Sequence, residues 1–185
     1  FAGQGVGFGG WYAPVALHVE TDSINSPDGL RYRGVMGVDK PLLADPKVPG
    51  TSQLPAGVVT INRENYLLIS TTKNLVPANS RLVKADPARG AWPTVPGSVR
   101  PASYAGGAQS QITGYYDPVP TADSSRGWVY IVTNNFDRSS PTFLYRATPQ
   151  SFTDRSSWQG WSATAGWAKP PTPLWGDRIG EMSMK

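Results

Sequence analysis

The feature that most constrains the fold is a strand pattern that occurs twice along the chain. Residues 66–92 and 128–158 each contain an apolar run, a polar loop, a second apolar run and a tryptophan. Two β-rich units at a nearly constant spacing of about 60 residues predict a propeller or another repeat array. In a propeller, functional groups gather where the blades converge. The matched pairs are Tyr66 with Tyr130, Leu82 with Leu144, and Trp92 with Trp158.

Composition supports an all-β fold. The 185 residues fit a single domain. Glycine (20) and proline (18) are frequent and only 16% of residues are charged, so turns are many and charged helical faces are few. With 39% hydrophobic residues, including seven tryptophans, the chain has enough apolar surface for a core.

Several functional classes are excluded by what the sequence lacks. There is no cysteine, which removes disulfides, thiolate metal sites and cysteine nucleophiles. No apolar run approaches 18 residues, so no membrane span is expected. The net charge of +4 comes from scattered residues, which argues against a nucleic-acid partner. The single histidine, His18, has no cluster of partners, and we expect neither a metal nor a cofactor.

Alternating runs and turn signals place the strands. We expect residues 11–19 and 30–38 to form an antiparallel pair, and each repeat to form a three-stranded meander with a short outer strand. At about 60 residues a blade, the chain holds about three four-stranded antiparallel blades of a single domain, 1–185, which we expect to be incomplete at both ends. The predicted meander strands are 57–61, 66–71, 80–85, then 110–116, 128–134 and 142–147, with outer strands near 98–100 and 158–162 and a last strand over 179–185.

Four short motifs carry a resemblance to a known family. They are GWYAPVAL at 10–17, PAGVV at 55–59, WVYIVT at 128–133 and GEMSM at 180–184. In this order they resemble a largely actinobacterial family, also found in mycobacteriophages, long catalogued as a domain of unknown function. Some of its members define glycoside hydrolase family 183, the endo-D-arabinanases.

That resemblance implies a five-bladed β-propeller with a central sugar-binding cleft. The implied substrate is the D-arabinan of mycobacterial arabinogalactan and lipoarabinomannan, and the implied chemistry is inverting hydrolysis by two aspartates. The family's Gly-Asp-Thr element is absent from this sequence, so either the catalytic pair lies upstream of Phe1 or this member lacks it. We expect the missing part of the chain to supply the remaining blades. A cell-wall substrate implies a secreted, envelope-bound or virion-associated protein.

Among the acids present, Glu181 and Asp177 are the candidate catalytic residues. Inverting hydrolysis needs two carboxyls about 6.5–9.5 Å apart, and Glu181 lies on a predicted strand. Its alternative role is an ion pair with Arg178, itself a candidate sugar ligand. Asp117 is a candidate for binding sugar hydroxyls, although Asp-Pro commonly opens a turn.

Aromatic and amide side chains supply the other candidate ligands. Aromatic rings can stack on a sugar, and Gln109 and Gln111, two residues apart, would share one face of a strand. Packing between blades is the alternative role for each ring. Trp92 and Trp158 recur at equivalent positions, which indicates an architectural role. The aromatic candidates are Trp11, Tyr12, Tyr115 and Trp175.

Three functions are compatible with the sequence. The first is endo-acting hydrolysis of D-arabinan. The second is a non-catalytic carbohydrate-binding or structural propeller, such as a phage tail protein that recognises the cell wall. The third is a protein-interaction propeller, for which we would expect an exposed apolar patch without a polar cleft.

Overall fold

A computed structural model describes residues 14–88, 91–176, 179–180 and 182–184. Over these residues the protein is all-β, as predicted, with eleven strands in three antiparallel sheets. Helical structure among them is confined to three short 3₁₀ segments, Thr21–Ser23, Tyr104–Gly107 and Arg155–Ser157. No helix of the described segments is long and apolar enough to cross a membrane.

The first sheet is a two-stranded hairpin. Strands β1 (Ala16–Val19) and β2 (Tyr32–Met36) pair antiparallel, with Leu17 opposite Val35. The predicted return of residues 30–38 onto the first strand is therefore confirmed for the described part of that strand.

The second sheet, called sheet A, follows the order of the chain. It comprises β3 (Ser52–Ile61), β4 (Glu64–Lys73), β5 (Val76–Lys84) and the short outer β6 (Arg100–Pro101). Strand β3 begins earlier than predicted and includes Pro55. The register shifts between Pro55 and Val58, and β3 is an edge strand. Bulges and edges are the places where a strand tolerates proline.

The third sheet, called sheet B, has the same sequential order. It contains β7 (Gln111–Asp117), β8 (Trp128–Asn134), β9 (Phe143–Ala147), β10 (Gln159–Ser162) and β11 (Gly166–Trp167). The predicted meander and outer strand are thus present. The repeat also extends to register, because Tyr66 lies opposite Lys84 in sheet A and Tyr130 lies opposite Arg146 in sheet B.

Sheets A and B pack face to face around the main core. Alternate residues of β3, β4 and β5 meet alternate residues of β7, β8 and β9, as strand geometry requires. Phe152 stacks on Trp158 with ring centroids 5.7 Å apart, and Tyr66 meets Phe152 edge-on at 5.5 Å. Core members include Val59, Leu68, Leu82, Ile112, Val129 and Ile131.

Strands β3 and β7 approach so closely that side chains would not fit at the crossing. An added Cβ at Gly57, whose φ is +137°, would lie 1.7 Å from the carbonyl oxygen of Ile112. At Gly114 it would lie 2.9 Å from a Val59 methyl carbon. These two glycines bring the first strands of both sheets together.

The opposite face of sheet A packs against the hairpin. Leu42, Leu43, Ile69, Val83 and Trp92 form a second buried cluster, with Ala16 and Met36 against it. The hairpin, sheet A and sheet B are therefore layered in chain order, each layer separated from the next by apolar side chains.

The two repeated tryptophans have equivalent structural roles. Both are buried. The Nε1 of Trp92 donates to the carbonyl of Asp86 at 2.9 Å, and that of Trp158 donates to the carbonyl of Phe152 at 2.8 Å. Each bond reaches six residues back along the chain, so the prediction of an architectural role is confirmed.

The described residues of the C-terminal segment contact the far face of sheet B without forming a strand. The backbone N–H of Met184 donates to Thr113 Oγ1 at 3.0 Å, and Asn134 Nδ2 donates to the carbonyl of Ile179 at 3.1 Å. The predicted strand over 179–185 is wrong for the described residues. Their backbone groups hydrogen-bond to side chains of sheet B and not to the backbone of a neighbouring strand.

Candidate functional site

A cleft of about 980 Å³ opens where the hairpin, sheet A and sheet B meet. The close approach of β3 and β7 puts the first strands of both sheets on its wall. The hairpin supplies a second wall and residues 182–184 a third. Clefts of this size that combine apolar walls with a few polar groups are typical of ligand sites.

Three tyrosines line this cleft, namely Tyr32, Tyr115 and the half-buried Tyr116. Tyr32 on β2 is 52% exposed and Tyr115 on β7 is 45% exposed. An exposed aromatic ring can stack on the apolar face of a sugar, and its hydroxyl can hydrogen-bond. Around them lie apolar side chains, among them Leu17, Val58, Met182 and Met184.

A tight turn supplies polar groups to the same cleft. Asn62 and Arg63 alone connect β3 to β4, and both have positive φ, 50° and 68°. This is the arrangement of a type I′ hairpin, which favours glycine at the second position. Holding Arg63 there costs about 1 kcal/mol. Thr60 Oγ1 donates to Asn65 Oδ1 at 2.6 Å beside the turn.

Arg63 is the charged side chain among the described lining residues, and none of those residues is an Asp or Glu. Within the described segments, Arg63 has no hydrogen bond or ion pair. The adjacent acid, Glu64, is engaged elsewhere. The ammonium of Lys84 lies 2.5 Å from Glu64 Oε1 and, with the hydroxyl of Tyr66, lowers the pKa of that carboxyl. The described part of the cleft is therefore positively charged.

Of the predicted ligands that the structure describes, Tyr115 is the one that lines the cleft. Gln109 and Gln111 are both buried. Gln109 precedes β7. Burial raises the pKa of Tyr145, and the hydrogen bond with the Gln109 amide partly offsets this rise. Gln111 lies opposite Asn134 in the ladder.

The remaining two described candidates lie elsewhere. Asp117 Oδ1 accepts from the backbone N–H of Val119 at 3.0 Å, which is the turn role that the Asp-Pro sequence indicates. Trp175, 61% exposed, bridges to Thr142 and lines a second cavity of about 350 Å³. This cavity adjoins the cleft, because Thr113 and residues 182–184 line both.

Five predicted site residues lie outside the described residues: Trp11, Tyr12, Asp177, Arg178 and Glu181. Their roles stay predictions. Across the described segments there is also no group of three or more His, Asp or Glu side chains able to hold a metal ion.

Sequence reasoning missed Tyr32 and Arg63. Tyr32 lies in a strand that was correctly predicted, but nothing in the sequence tells which face of a two-stranded hairpin meets a cleft. Arg63 lies between the predicted strands 57–61 and 66–71, and its contact with the cleft depends on how β3 docks on β7.

A buried cation was missed as well. Arg155 is 1% exposed. It joins the two sheets by donating from Nη1 to Ser80 Oγ at 2.9 Å and from Nη2 to the carbonyl of Gln109 at 2.6 Å. Burial, with a smaller effect of the nearby Arg100 charge, lowers its pKa to about 10. Its role is structural, because it lies in the seam between the sheets and away from the cleft.

Comparison with known proteins gives one family and one close relative. The family model described as "Domain of unknown function (DUF4185)" matches residues 1–185. The "Uncharacterized 35.9 kDa protein in asd 3'region" of Mycolicibacterium smegmatis is 71% identical over 181 residues. That alignment covers 97% of this chain and 54% of the relative, so the chain spans about half the length of the curated relative that it matches.

Proposed function

As the chain belongs to the DUF4185 family, we propose that its cleft binds a saccharide chain and that the full-length protein hydrolyses D-arabinan. The observation that carries this proposal is the cleft itself, which has two half-exposed tyrosine rings and polar groups on apolar walls. Such a surface suits a polyol with apolar ring faces better than a flat protein partner.

The layered sheets support a propeller as the framework of this site. Sheets A and B repeat the same meander, pack face to face and bring their first strands to the cleft. Radially repeated four-stranded sheets with inner strands around a central channel define a propeller. We propose that the chain supplies about three blades of a five-bladed arrangement, with the hairpin as part of the first.

Hydrolysis requires two carboxyls, and the described part of the cleft has none. We place the catalytic acids outside the described residues, either at Asp177 and Glu181 or upstream of Phe1, and assign the protein to glycoside hydrolase family 183. With a cell-wall arabinan as substrate, the protein acts outside the cytoplasmic membrane or on a virion.

The absence of acids among the described lining residues favours a second candidate function, carbohydrate binding without hydrolysis. Because the described lining residues include no acid, the same cleft could hold arabinan without cleaving it, as a cell-wall recognition module. This alternative shares the ligand and differs only in chemistry.

Incubating the full-length protein with mycobacterial arabinogalactan separates the two functions. Released arabinose oligomers, detected by mass spectrometry, support the hydrolase. Retention on the immobilised polysaccharide without products supports the module. If the protein releases no products and is also not retained on the polysaccharide, the proposal that the cleft binds a saccharide is contradicted.

The role of the cleft can be tested at Tyr115. Replacing Tyr115 by Ala removes a ring that is half-exposed, so we expect about tenfold weaker binding of arabinan oligosaccharides and an unchanged fold. Isothermal titration calorimetry measures the affinity and circular dichroism the fold. Tyr115→Phe, which keeps the ring face, should retain most of the affinity. Val119→Ala, exposed in the loop that follows β7 and outside the cleft, is the control. Equal binding by all three variants would remove Tyr115 from the site.

A further inference from the structure

We propose that Arg63 is an anion-binding residue of the cleft and that the natural saccharide bears a carboxylate or a phosphate ester. This inference rests on the proposed saccharide binding and narrows its ligand class. It depends on three observations at Arg63: its charge environment, its backbone conformation, and the contrast with an equivalent turn elsewhere in the same sheet.

The charge environment favours an anionic ligand. Arg63 lines the cleft, is exposed, and has no ion pair or hydrogen bond within the described segments. The nearest acid in the sequence, Glu64, is bound by Lys84 and Tyr66. A guanidinium with free donors in a cleft without described acids offers a fork that matches the two oxygens of a carboxylate or phosphate.

The backbone of the β3–β4 turn determines the position of the Arg63 side chain. In a two-residue turn the side chain projects from a rigid hairpin rather than from a long loop, and β3 is held by its crossing with β7. Residues kept at positive φ without being glycine often have a functional reason. At Arg63 a glycine would relieve the turn but would remove the cation.

An internal control shows what turn geometry alone requires. Asn74 and Leu75 connect β4 to β5 at the other end of sheet A, also with two residues and also at positive φ, 51° and 64°. Leu75 is exposed and lies outside the cleft. The two turns share backbone strain and an initial Asn. They differ in the side chain at the second position, and the cationic one faces the cleft.

The test uses three probes with the full chain: unmodified arabinan oligosaccharides, the same oligosaccharides carboxymethylated, and the same oligosaccharides bearing a phosphate monoester. Calorimetry gives each Kd at low and at high salt. We expect at least one charged probe to bind about tenfold more tightly than the neutral one, equivalent to about 1.4 kcal/mol. Added salt should reduce the difference. Whichever charged probe binds better identifies the anionic group.

Variants of the two turns locate the effect. Arg63→Gly should reduce the preference for the charged over the neutral probe, taken as the ratio of the two Kd values, to about onefold. Arg63→Lys should retain part of it, since the charge remains and the fork is lost. Leu75→Gly should leave the preference unchanged. Both glycine variants should maintain or raise Tm, which excludes unfolding as the cause.

Each other outcome contradicts the inference in a recognisable way. Equal affinity for neutral and charged probes removes the anionic ligand but leaves saccharide binding intact. A preference that survives in Arg63→Gly assigns the anion to another residue. If Leu75→Gly also loses the preference for the charged probe, the preference depends on the turns of sheet A and not on the charge of Arg63. If no probe binds, the proposed function fails together with the inference.

Discussion

Sheets A and B have the same strand order and the same closing tryptophan bond, yet they are stabilised by different side chains. In sheet A two-residue turns join the first three strands, and a lysine lies opposite Tyr66. In sheet B longer loops join the first three strands, and an arginine lies opposite Tyr130. The shared backbone pattern sets the architecture, whereas the contacts that stabilise each sheet are local.

Two buried arginines, Arg81 on β5 and Arg155 in a 3₁₀ segment, show how local these contacts are. Arg81 donates to Thr71 and Thr94 and has Asp45 at 3.3 Å, whose charge opposes the lowering of its pKa by burial. Arg155, at the seam, has only neutral partners among the described residues. A buried charge without a counter-ion is costly, so Arg155 stabilises by its hydrogen bonds across the seam rather than by an ion pair.

The largest effect is expected at the crossing of the two sheets. Gly57→Ala, on sheet A, would place a methyl group 1.7 Å from the Ile112 carbonyl at a φ of +137°, and should destabilise by about 3–5 kcal/mol. Gly114→Ala, on sheet B, meets Val59 and the Tyr130 carbonyl at 2.9 Å without positive φ and should cost about 1–3 kcal/mol. Urea unfolding monitored by tryptophan fluorescence measures both.

Gly50→Ala is the control for that prediction. Its φ is +75°, and an added Cβ would have open space around it, so it carries only the backbone cost of about 1 kcal/mol. If Gly57→Ala were no worse than Gly50→Ala, the two strands would not be in the contact described, and the cleft that depends on it would need another wall.

A smaller effect on stability is expected at Arg146 and Lys84, which occupy equivalent register positions in the two sheets. The Arg146 guanidinium lies 3.8 Å from the Trp128 ring centroid and 4.7 Å from that of Trp167, and bonds Gln159 and Asp123. Arg146→Lys loses the planar stacking and the fork, and should destabilise by about 1–2 kcal/mol.

The reciprocal change, Lys84→Arg, should alter stability by less than about 0.5 kcal/mol. Lys84 is half-exposed, and its contacts are with Glu64 and, at 6.0 Å, the Tyr66 ring. Thermal unfolding of the two swaps in one buffer checks the comparison. Equal effects would mean that the aromatic pair around Arg146 adds nothing beyond its charge.

Much of the fold was predictable from the sequence because the signal was repeated. The apolar alternation around Leu68 and Ile131 determines which faces meet, and Trp92 and Trp158 recur because each ends its meander in the same way. The start of β3 was missed because Pro55 reads as a loop residue until the bulge beside it is known.

The site was far less predictable, because it is formed by side chains from different layers. Tyr115 was found, since an aromatic ring on an inner strand is a visible signal. Arg63 gives no such signal, because its position depends on a long-range crossing rather than on neighbours in sequence. The Gln109 and Gln111 pair looked suited to a polyol, but both amides are buried.

The smallest expected effect is a difference in acid response between the sheets. Lys84, then Tyr66, lowers the pKa of Glu64 from 4.5, and Thr121, then Arg146, lowers that of Asp123 from 3.8. A carboxyl with a lowered folded pKa stabilises above its unfolded pKa and loses that contribution as pH falls through the folded value. Both groups are exposed, so each contribution is small.

Glu64→Gln should therefore lower Tm slightly at pH 7, and its difference from the wild type should begin to shrink below about pH 4.5. For Asp123→Asn the difference should persist to lower pH and shrink only below about 3.8. Differential scanning calorimetry from pH 7 to pH 2 resolves the order. If the order were reversed, Asp123 rather than Glu64 would be the carboxyl with the higher pKa in the unfolded state. The ion pair of Asp123 would then be lost before that of Glu64 as the pH falls.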